Sequence, residues 1–320
     1  MYGVSQLRFI GTARRLLVQI ARVNQSSGLA NAWLGAVAAL NPSPSPFIRR
    51  LTDVIQVSGP IESRGGLPQI DILVPCDPRD FELLRPVIDS ALENVLNPVF
   101  SVHVVVPDRE LEGARSLDIE GNLLGEEALL PESLKSAVTG AQHTNRRGWL
   151  MQQVVKFFFT WQSQARGVLV LDADTVLLRP RAFLSDSGKQ LLSFSHEYVP
   201  RYEDHAGRVW GPRARHKGFS YVTHHQLMQP WIVREMFPRV SDMVDWVCSS
   251  ANVGKSDVSE YHSYGRWLSD QHPELVALAR WENKSTPRSL LTPLDSGDFQ
   301  DRIRAMFPQY FSASLHAYLR

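Results

Sequence analysis

The chain has 320 residues, 34 Lys and Arg against 33 Asp and Glu, a formal charge of +1 and 43% hydrophobic residues. This is long and apolar enough for an α/β core, and the near-zero charge offers no field for wrapping nucleic acid. Its two cysteines, Cys76 and Cys248, lie far apart without C-x-x-C spacing, which argues against a zinc site or a disulfide framework and for a reducing compartment.

The charge is unevenly spread: no acid precedes Asp53, whereas Arg8, Arg14, Arg15, Arg22, Arg49 and Arg50 all do. Over residues 7 to 23, "LRFIGTARRLLVQIARV", helical spacing puts Ile10, Ala13, Leu17 and Ile20 on one stripe and Arg8, Arg15 and Arg22 on another. Such a helix suits an anionic membrane surface, an accessory position on the domain, or a transit-type leader. The apolar run "LANAWLGAVAAL" at 29 to 40 falls short of the ~20 residues that cross a bilayer. The expectation is a cytoplasmic protein with peripheral contact at the inner membrane face through residues 7–23. Alternating prolines in "NPSPSP" at 41 to 46 predict a stiff linker. The expected layout is a basic helical extension and Pro-rich linker over 1–50, followed by a single globular domain over 68–320.

From residue 68 strands and helices alternate. "QIDILVP" (69 to 75) predicts a strand, "DFELLRPVIDSALENVL" (80 to 96) a helix and "FSVHVVVPD" (100 to 108) a second strand, an order that implies a parallel sheet. Residues 109 to 140 read as loops with a short helix. "RRGWLMQQVVKFFFTWQSQ" (146 to 164) predicts a helix that feeds through Gly167 into the strand of "GVLVLDADTVLLRP" (167 to 180), and "QLLSFSHEYV" (190 to 199) predicts another strand. Residues 199 to 218 read as a long loop; "WIVREMF", "SEYHSYGRWLSDQHPEL" and "FQDRIRAMF" supply later helices.

The phrase "VLVLDADTVLL" raises the chemical question. Four apolar residues before Asp172 predict a strand buried on both faces, so Asp172 and Asp174 belong where it emerges, at the end where open α/β sheets bind ligands. Two neighbouring carboxylates repel unless a cation neutralises them, and hard oxygen ligands suit Mg2+ or Mn2+ with a substrate phosphate. The competing readings are a pair of acids capping a turn, and the nucleophile and acid of a haloacid-dehalogenase-type phosphatase, whose D-x-D-x-[TV] pattern "DADTV" also satisfies, with "GDFQD" (297 to 301) mimicking its distal acids. A sugar-nucleotide binding module without turnover is a third.

Other polar residues extend the candidate site. Trp149, Gln152 or Gln153, and Lys156 share a helix face, with Lys156 set between apolar runs where an amine needs a partner, and Arg146 and Arg147 near the helix start suit phosphate. In "YVTHHQLMQP", His224 and His225 face opposite ways on a strand, so one of them lines an acceptor pocket; His225 is taken as the catalytic one. In "SEYHSYG", Glu260 and Tyr264 lie one turn apart, Glu260 as a general base or as part of a cap with Ser256. Trp210, Trp246, Trp267 and Trp281 are stacking platforms or packed core.

The motifs "ILVPCDPRDFELL", "GWLMQQVVKF", "VLVLDADTVLL", "VTHHQLM" and "SEYHSYG" together resemble the GT-A class of nucleotide-sugar glycosyltransferases, and more narrowly an uncharacterised bacterial family of glycosyltransferase-like proteins, over residues 68 to 320. The resemblance implies a Rossmann-type, mainly parallel mixed sheet flanked by helices, with transfer of a sugar from a nucleoside-diphosphate sugar, UDP-sugar favoured, to a glycan or glycolipid hydroxyl. It implies nucleoside contacts from Val74, Pro75, Cys76 and Asp77, with Asp80 nearby, and donor contacts from Arg147, Trp149, Gln153, Lys156, Asp172 and Ala173. It further implies Mn2+ or Mg2+ on Asp172 and Asp174, with late His316 completing the shell. Asp174, Glu260 and His225 are the expected catalytic set.

Overall fold

The computed structural model describes residue 61 and residues 66–140, 146–195, 199–211, 220–250, 257–291 and 298–317. The basic segment 7–23, the proline linker and Ser256 lie outside the described residues. Among the described residues no helix is long and apolar enough to cross a membrane.

A five-stranded sheet organises the domain in the order β3-β2-β1-β4-β7. Its strands are β1 (Ile70–Pro75), β2 (Val99–Val106), β3 (Asn122–Gly125), β4 (Val168–Leu171) and β7 (His225–Met228). The first four run parallel, and β7 pairs antiparallel to β4, with Val168 opposite Met228 and Leu171 opposite His225. The fold is thus mixed α/β with a mainly parallel central sheet flanked by helices. Two smaller sheets complete it: β5 (Thr175–Leu177), β10 (Ser312–His316) and β9 (Asn283–Pro287) form one, and β6 (Gln190–Phe194) pairs with β8 (Val276–Arg280) in the other.

Both faces of the sheet are dry because its inner strands are apolar without alternation. On β4, Val168 and Val170 enter one core while Leu169 and Leu171 enter the other. Helix α1 (Phe81–Asn94) covers the second core with Leu83, Leu84, Val87 and Ile88. On the opposite face, α2 (Glu132–Gly140), α3 (Arg147–Gln162), α5 (Pro230–Met236), α6 (Val240–Cys248) and α7 (Glu260–Gln271) pack around Phe157, Trp246 and Tyr264. Truncating any of these large side chains to Ala would cost about 3 to 5 kcal/mol.

The long loop expected over 199 to 218 is corrected: residues Pro200–Trp210 form helix α4. Pro200 sits at its start, where a missing N–H costs nothing, and Glu203, His205 and Ala206 make a buried stripe. The charges on that stripe are paired inside the protein, Glu203 with His262 at 3.1 Å and with Arg266 at 3.1 Å, so its hydropathy conceals its burial. Strand β3 within the expected loop region 109–140 is a second addition. Helix α7 is pressed unusually close to its neighbour: a Cβ on Gly265 would lie 2.4 Å from the ring of Tyr221. Helix α8 (Phe299–Met306) packs Phe299 and Ile303 against the core near α1.

Candidate active site

The acids of "DADT" form a turn between β4 and β5, held from both sides by backbone. Asp172 N–H donates to the His224 carbonyl (2.9 Å), Thr175 N–H donates to the Asp172 carbonyl (3.0 Å), and Leu315 N–H donates to the Asp174 carbonyl (2.7 Å). The turn is therefore clamped between the residue leading into β7 and the last strand, β10. His224 has φ of +59°, in the left-handed region that non-glycine residues seldom occupy. That backbone turns its ring toward the acids while His225, next along, faces the core.

Asp172 is the hub. Its Oδ1 accepts from Lys156 Nζ (2.6 Å) and from the Tyr261 hydroxyl (2.8 Å), and its Oδ2 lies 2.9 Å from His224 Nδ1. Lys156 also donates to Glu260 Oε1 (2.6 Å) and sits 4.3 Å from the centre of the Tyr261 ring. Burial works against the Asp172 charge, but Lys156 and His224 outweigh it and hold its pKa well below the carboxylate range. Burial likewise opposes the Lys156 charge, yet Asp172 and Glu260 overcome it and raise the amine above its ordinary value. Burial disfavours a charged His224, but the bond to Asp172 and the negative charges of Asp172 and Asp174 lift its pKa above that of an ordinary histidine. Asp174 Oδ2 lies 2.9 Å from His316 Nδ1.

These groups line an open cleft of about 370 Å³ at the C-terminal ends of β1 and β4, with Pro75, Asp80, Trp149, Gln152 and Tyr202 among its walls. One ligand atom from each of Asp172, Asp174 and His224 lies within 4.8 Å of the others. This is a three-donor, oxygen-rich set of the kind that takes Mn2+ or Mg2+. A second cleft of about 290 Å³ adjoins it, sharing Gln152, with Cys76, Asp77, Asp108, Glu126 and Arg147 in its walls. Burial first, and then the charge of Asp108, push the Glu126 carboxyl up to about 7.

The expected residues separate into groups. Pro75, Trp149, Gln153, Lys156, Asp172, Ala173, Asp174, Glu260 and His316 line the first cleft; Cys76, Asp77 and Arg147 line its neighbour. Val74 is wholly buried in the core and offers no side chain to either. Gln153 Oε1 accepts from the Glu260 backbone N–H (3.1 Å), which ties α3 to α7. His225 is corrected: it is buried between Phe183 and Phe311, and burial pushes its pKa down to about 3. Tyr264 is corrected too, because its buried hydroxyl bridges Gln229 N–H and Gln190 Oε1 at 2.8 Å each. The helix cap beside Glu260 is Ser259, whose hydroxyl accepts from His262 N–H (3.2 Å). Trp246 is buried core, Trp210 packs edge-on against Trp267, and Trp281 lies near His224. Of the histidine pair it is His224 and not His225 that lines the cleft, as does Tyr261, which the sequence did not single out.

Residues 80–304 match the model of a family of unknown function, DUF6492. The chain belongs to this family. No curated protein matches this DUF6492 chain. Among solved structures it is similar to mouse xyloside xylosyltransferase 1 in its apo form, at 12% identity over 78% of this chain and 98% of that one, with a TM-score of 0.43. It is also similar to the galactosyltransferase LgtC in complex with donor and acceptor sugar analogs, at 15% identity over 78% of this chain and 87% of that one, with a TM-score of 0.41. Likeness at this level carries no functional argument, and the function of the DUF6492 protein has to be read from its own site.

Proposed function

We propose that this protein transfers a sugar from a nucleoside-diphosphate sugar to a hydroxyl of a carbohydrate or glycolipid acceptor, with Mn2+ or Mg2+ held by Asp172, Asp174 and His224. The observation that carries the reading is the convergence of those three ligand atoms at the end of β4, on the wall of an open cleft. Charge supports it. Asp172, Asp174 and Glu260 contribute three negative charges, Lys156 one positive, and the remaining two match a divalent cation when His224 is neutral.

When bound, the ion would neutralise the diphosphate leaving group as a Lewis acid. The chain's own residues do the rest. Lys156, held by Glu260, fixes the Asp172 carboxylate, and Tyr261 restrains it from the same side. Because Glu260 Oε1 is committed to Lys156, we assign Glu260 a positioning role in place of the general base expected from sequence. His316 orients Asp174 through its Nδ1 contact, and its placement beside His224, ring centres 5.4 Å apart, makes it a reserve ligand. The adjoining cleft of Cys76, Asp77, Asp108 and Arg147 suits the nucleoside, with uridine the favoured base, and Trp149 and Tyr202 suit the sugar faces.

The phosphatase alternative is not favoured. Asp298 and Asp301, the expected distal acids, lie at the start of α8 beside Arg302 and Arg304 and do not line the cleft. The test is calorimetry with nucleoside diphosphates in the presence and absence of Mn2+, paired with a product assay on nucleotide sugars. Mn2+-dependent nucleotide binding with sugar transfer or slow nucleotide-sugar hydrolysis is expected. Release of phosphate from a simple phosphomonoester, lost in Asp172→Ala, would overturn the reading.

A further inference from the structure

A third cleft of about 430 Å³, within the range of small-molecule sites, opens at the other end of the central sheet. Arg166, just before β4, and Gln229, just after the antiparallel β7, stand on its rim, so it lies about 13 Å of strand away from Asp172. Trp231 and Arg234, both from α5, complete its polar and aromatic surface, and no carboxylate lines it among the described residues.

Its parts are fixed in place. The Trp231 indole is 42% exposed, yet its Nε1 donates to Gln229 Oε1 (3.0 Å) and its ring meets His272 edge-on. Gln229 is itself anchored, its Nε2 donating to the Gly188 carbonyl (3.0 Å) and to Gln190 Oε1 (2.8 Å). Arg234 Nη1 donates to the carbonyls of Trp161 (2.8 Å) and Ser163 (3.2 Å), and Arg166 donates through one Nη to the Asp186 carbonyl (3.3 Å). Several surface arginines elsewhere on this chain meet carboxylates, among them Arg85 at 3.2 Å, Arg115 at 3.0 Å and Arg239 at 2.8 Å. Among the described residues the pair at this cleft is left with spare donors and no counter-charge lining the pocket.

We propose that this cleft is a non-catalytic binding site for an acidic sugar residue, such as a uronate in a glycan chain. The chemistry has two halves that a neutral sugar or a bare anion would each satisfy only in part. An immobilised indole offers a flat apolar face for a pyranose ring, and two guanidiniums offer forked donors for a carboxylate. Its position behind the sheet means that a ligand here does not compete with one beside Asp174. It tethers a polymer while chemistry proceeds at the far end.

The test uses the full-length protein, with a hyaluronan tetrasaccharide as the acidic probe and cellotetraose as the neutral one, measured by calorimetry at 0.15 M salt. The acidic probe should bind at least about tenfold more tightly than the neutral one. Arg166→Gln and Trp231→Ala should each weaken it about tenfold with the thermal midpoint unchanged, Trp231→Phe should keep most of the affinity, and Asp174→Ala should bind as the parent does. Arg166→Gln serves alone if Trp231→Ala does not fold. Absence of binding at millimolar probe, equal binding by the Arg166 and Trp231 variants, or loss on Asp174→Ala would each overturn the proposal. So would vesicles rich in phosphatidylglycerol that bind through Arg166 and Trp231 while the oligosaccharide does not. Because Asp174→Ala separates the two clefts, failure here leaves the glycosyl-transfer reading standing, and failure there leaves this one.

Discussion

The two ends of β4 are chemical opposites. Its C-terminal end meets Asp172, Asp174 and Glu260 around one lysine, whereas its N-terminal end meets Arg166 and Arg234 with no lining carboxylate among the described residues. The acidic end is densely cross-braced: Asp172 alone has three side-chain partners drawn from three other segments of the chain. The basic end is braced through backbone carbonyls, which hold guanidiniums without neutralising them. The contrast teaches that the two ends of one strand brace their charges differently, through a salt-bridged lysine at one end and through neutral backbone carbonyls at the other. The proposed cation belongs to the first end and the proposed acidic ligand to the second.

The largest effect should come from breaking the brace at the acidic end. Lys156→Met leaves the buried Glu260 carboxylate facing the partly buried Asp172 carboxylate, and breaking a buried pair from one side costs up to about 3 to 5 kcal/mol. Urea denaturation should show that loss, while Arg166→Gln at the basic end should leave the midpoint within experimental error. A parent-like midpoint for Lys156→Met would mean that the brace is not structural.

Next in size is the direct ligand. Asp174→Ala should weaken Mn2+-dependent nucleotide binding by more than about 100-fold, beyond the loss typical of residues that only support a metal ligand, and leave folding intact because it relieves carboxylate repulsion. Calorimetry with Mn2+ present checks it, and unchanged affinity would remove the metal from the acidic end altogether.

Smaller shifts test residues that the contrast leaves out. His225 has a folded pKa of about 3 against an ordinary 6.5, so the unfolded chain takes the proton first and stability drains away as pH falls from about 6.5 toward 3. His225→Met should flatten that slope, raising the thermal midpoint at pH 5 relative to the parent, with nucleotide binding unchanged; a loss of binding would return His225 to the site. Glu126 shifts in the other direction. Its carboxyl at about 7 favours the folded state most fully below its ordinary 4.5, and that contribution is lost as pH rises through 7. Glu126→Gln should therefore raise the melting temperature at pH 8 by about 2 to 4 °C, and no change in its pH dependence would show that the carboxyl titrates normally.

Much of this was legible in the sequence wherever burial and periodicity coincide. β1, α1, β2, α3 and β4 were all readable because apolar runs and helical stripes are the direct image of a two-faced core. The acids at the end of β4 were readable for the same reason, since a doubly buried strand has to deliver polar residues where it emerges. The histidine pair was not. Alternation along a strand says that His224 and His225 part company but not which goes inward, and the choice is made by the left-handed backbone at His224, which no residue type announces. Tyr261 was missed because the cleft meets the first turn of α7, so neighbours 260 and 261 both reach it. A search for residues one turn apart assumes side-on packing and finds Tyr264. Helix α4 was hidden by charges that are satisfied internally, through contacts with α7 some sixty residues later in the chain.

Gly265 sits one turn along the helix that presents Glu260 and Tyr261, and its missing side chain lets that helix close on Tyr221 to a distance no other residue permits. Sterically, positions 221 and 265 are therefore coupled. A member that acquires alanine at 265 must already carry, or soon acquire, a residue smaller than tyrosine at 221. Without that compensation the first turn of the helix is levered outward, and the lysine hub loses its carboxylate on one side. The two positions should therefore vary together across related chains, while the exposed positions around them drift independently.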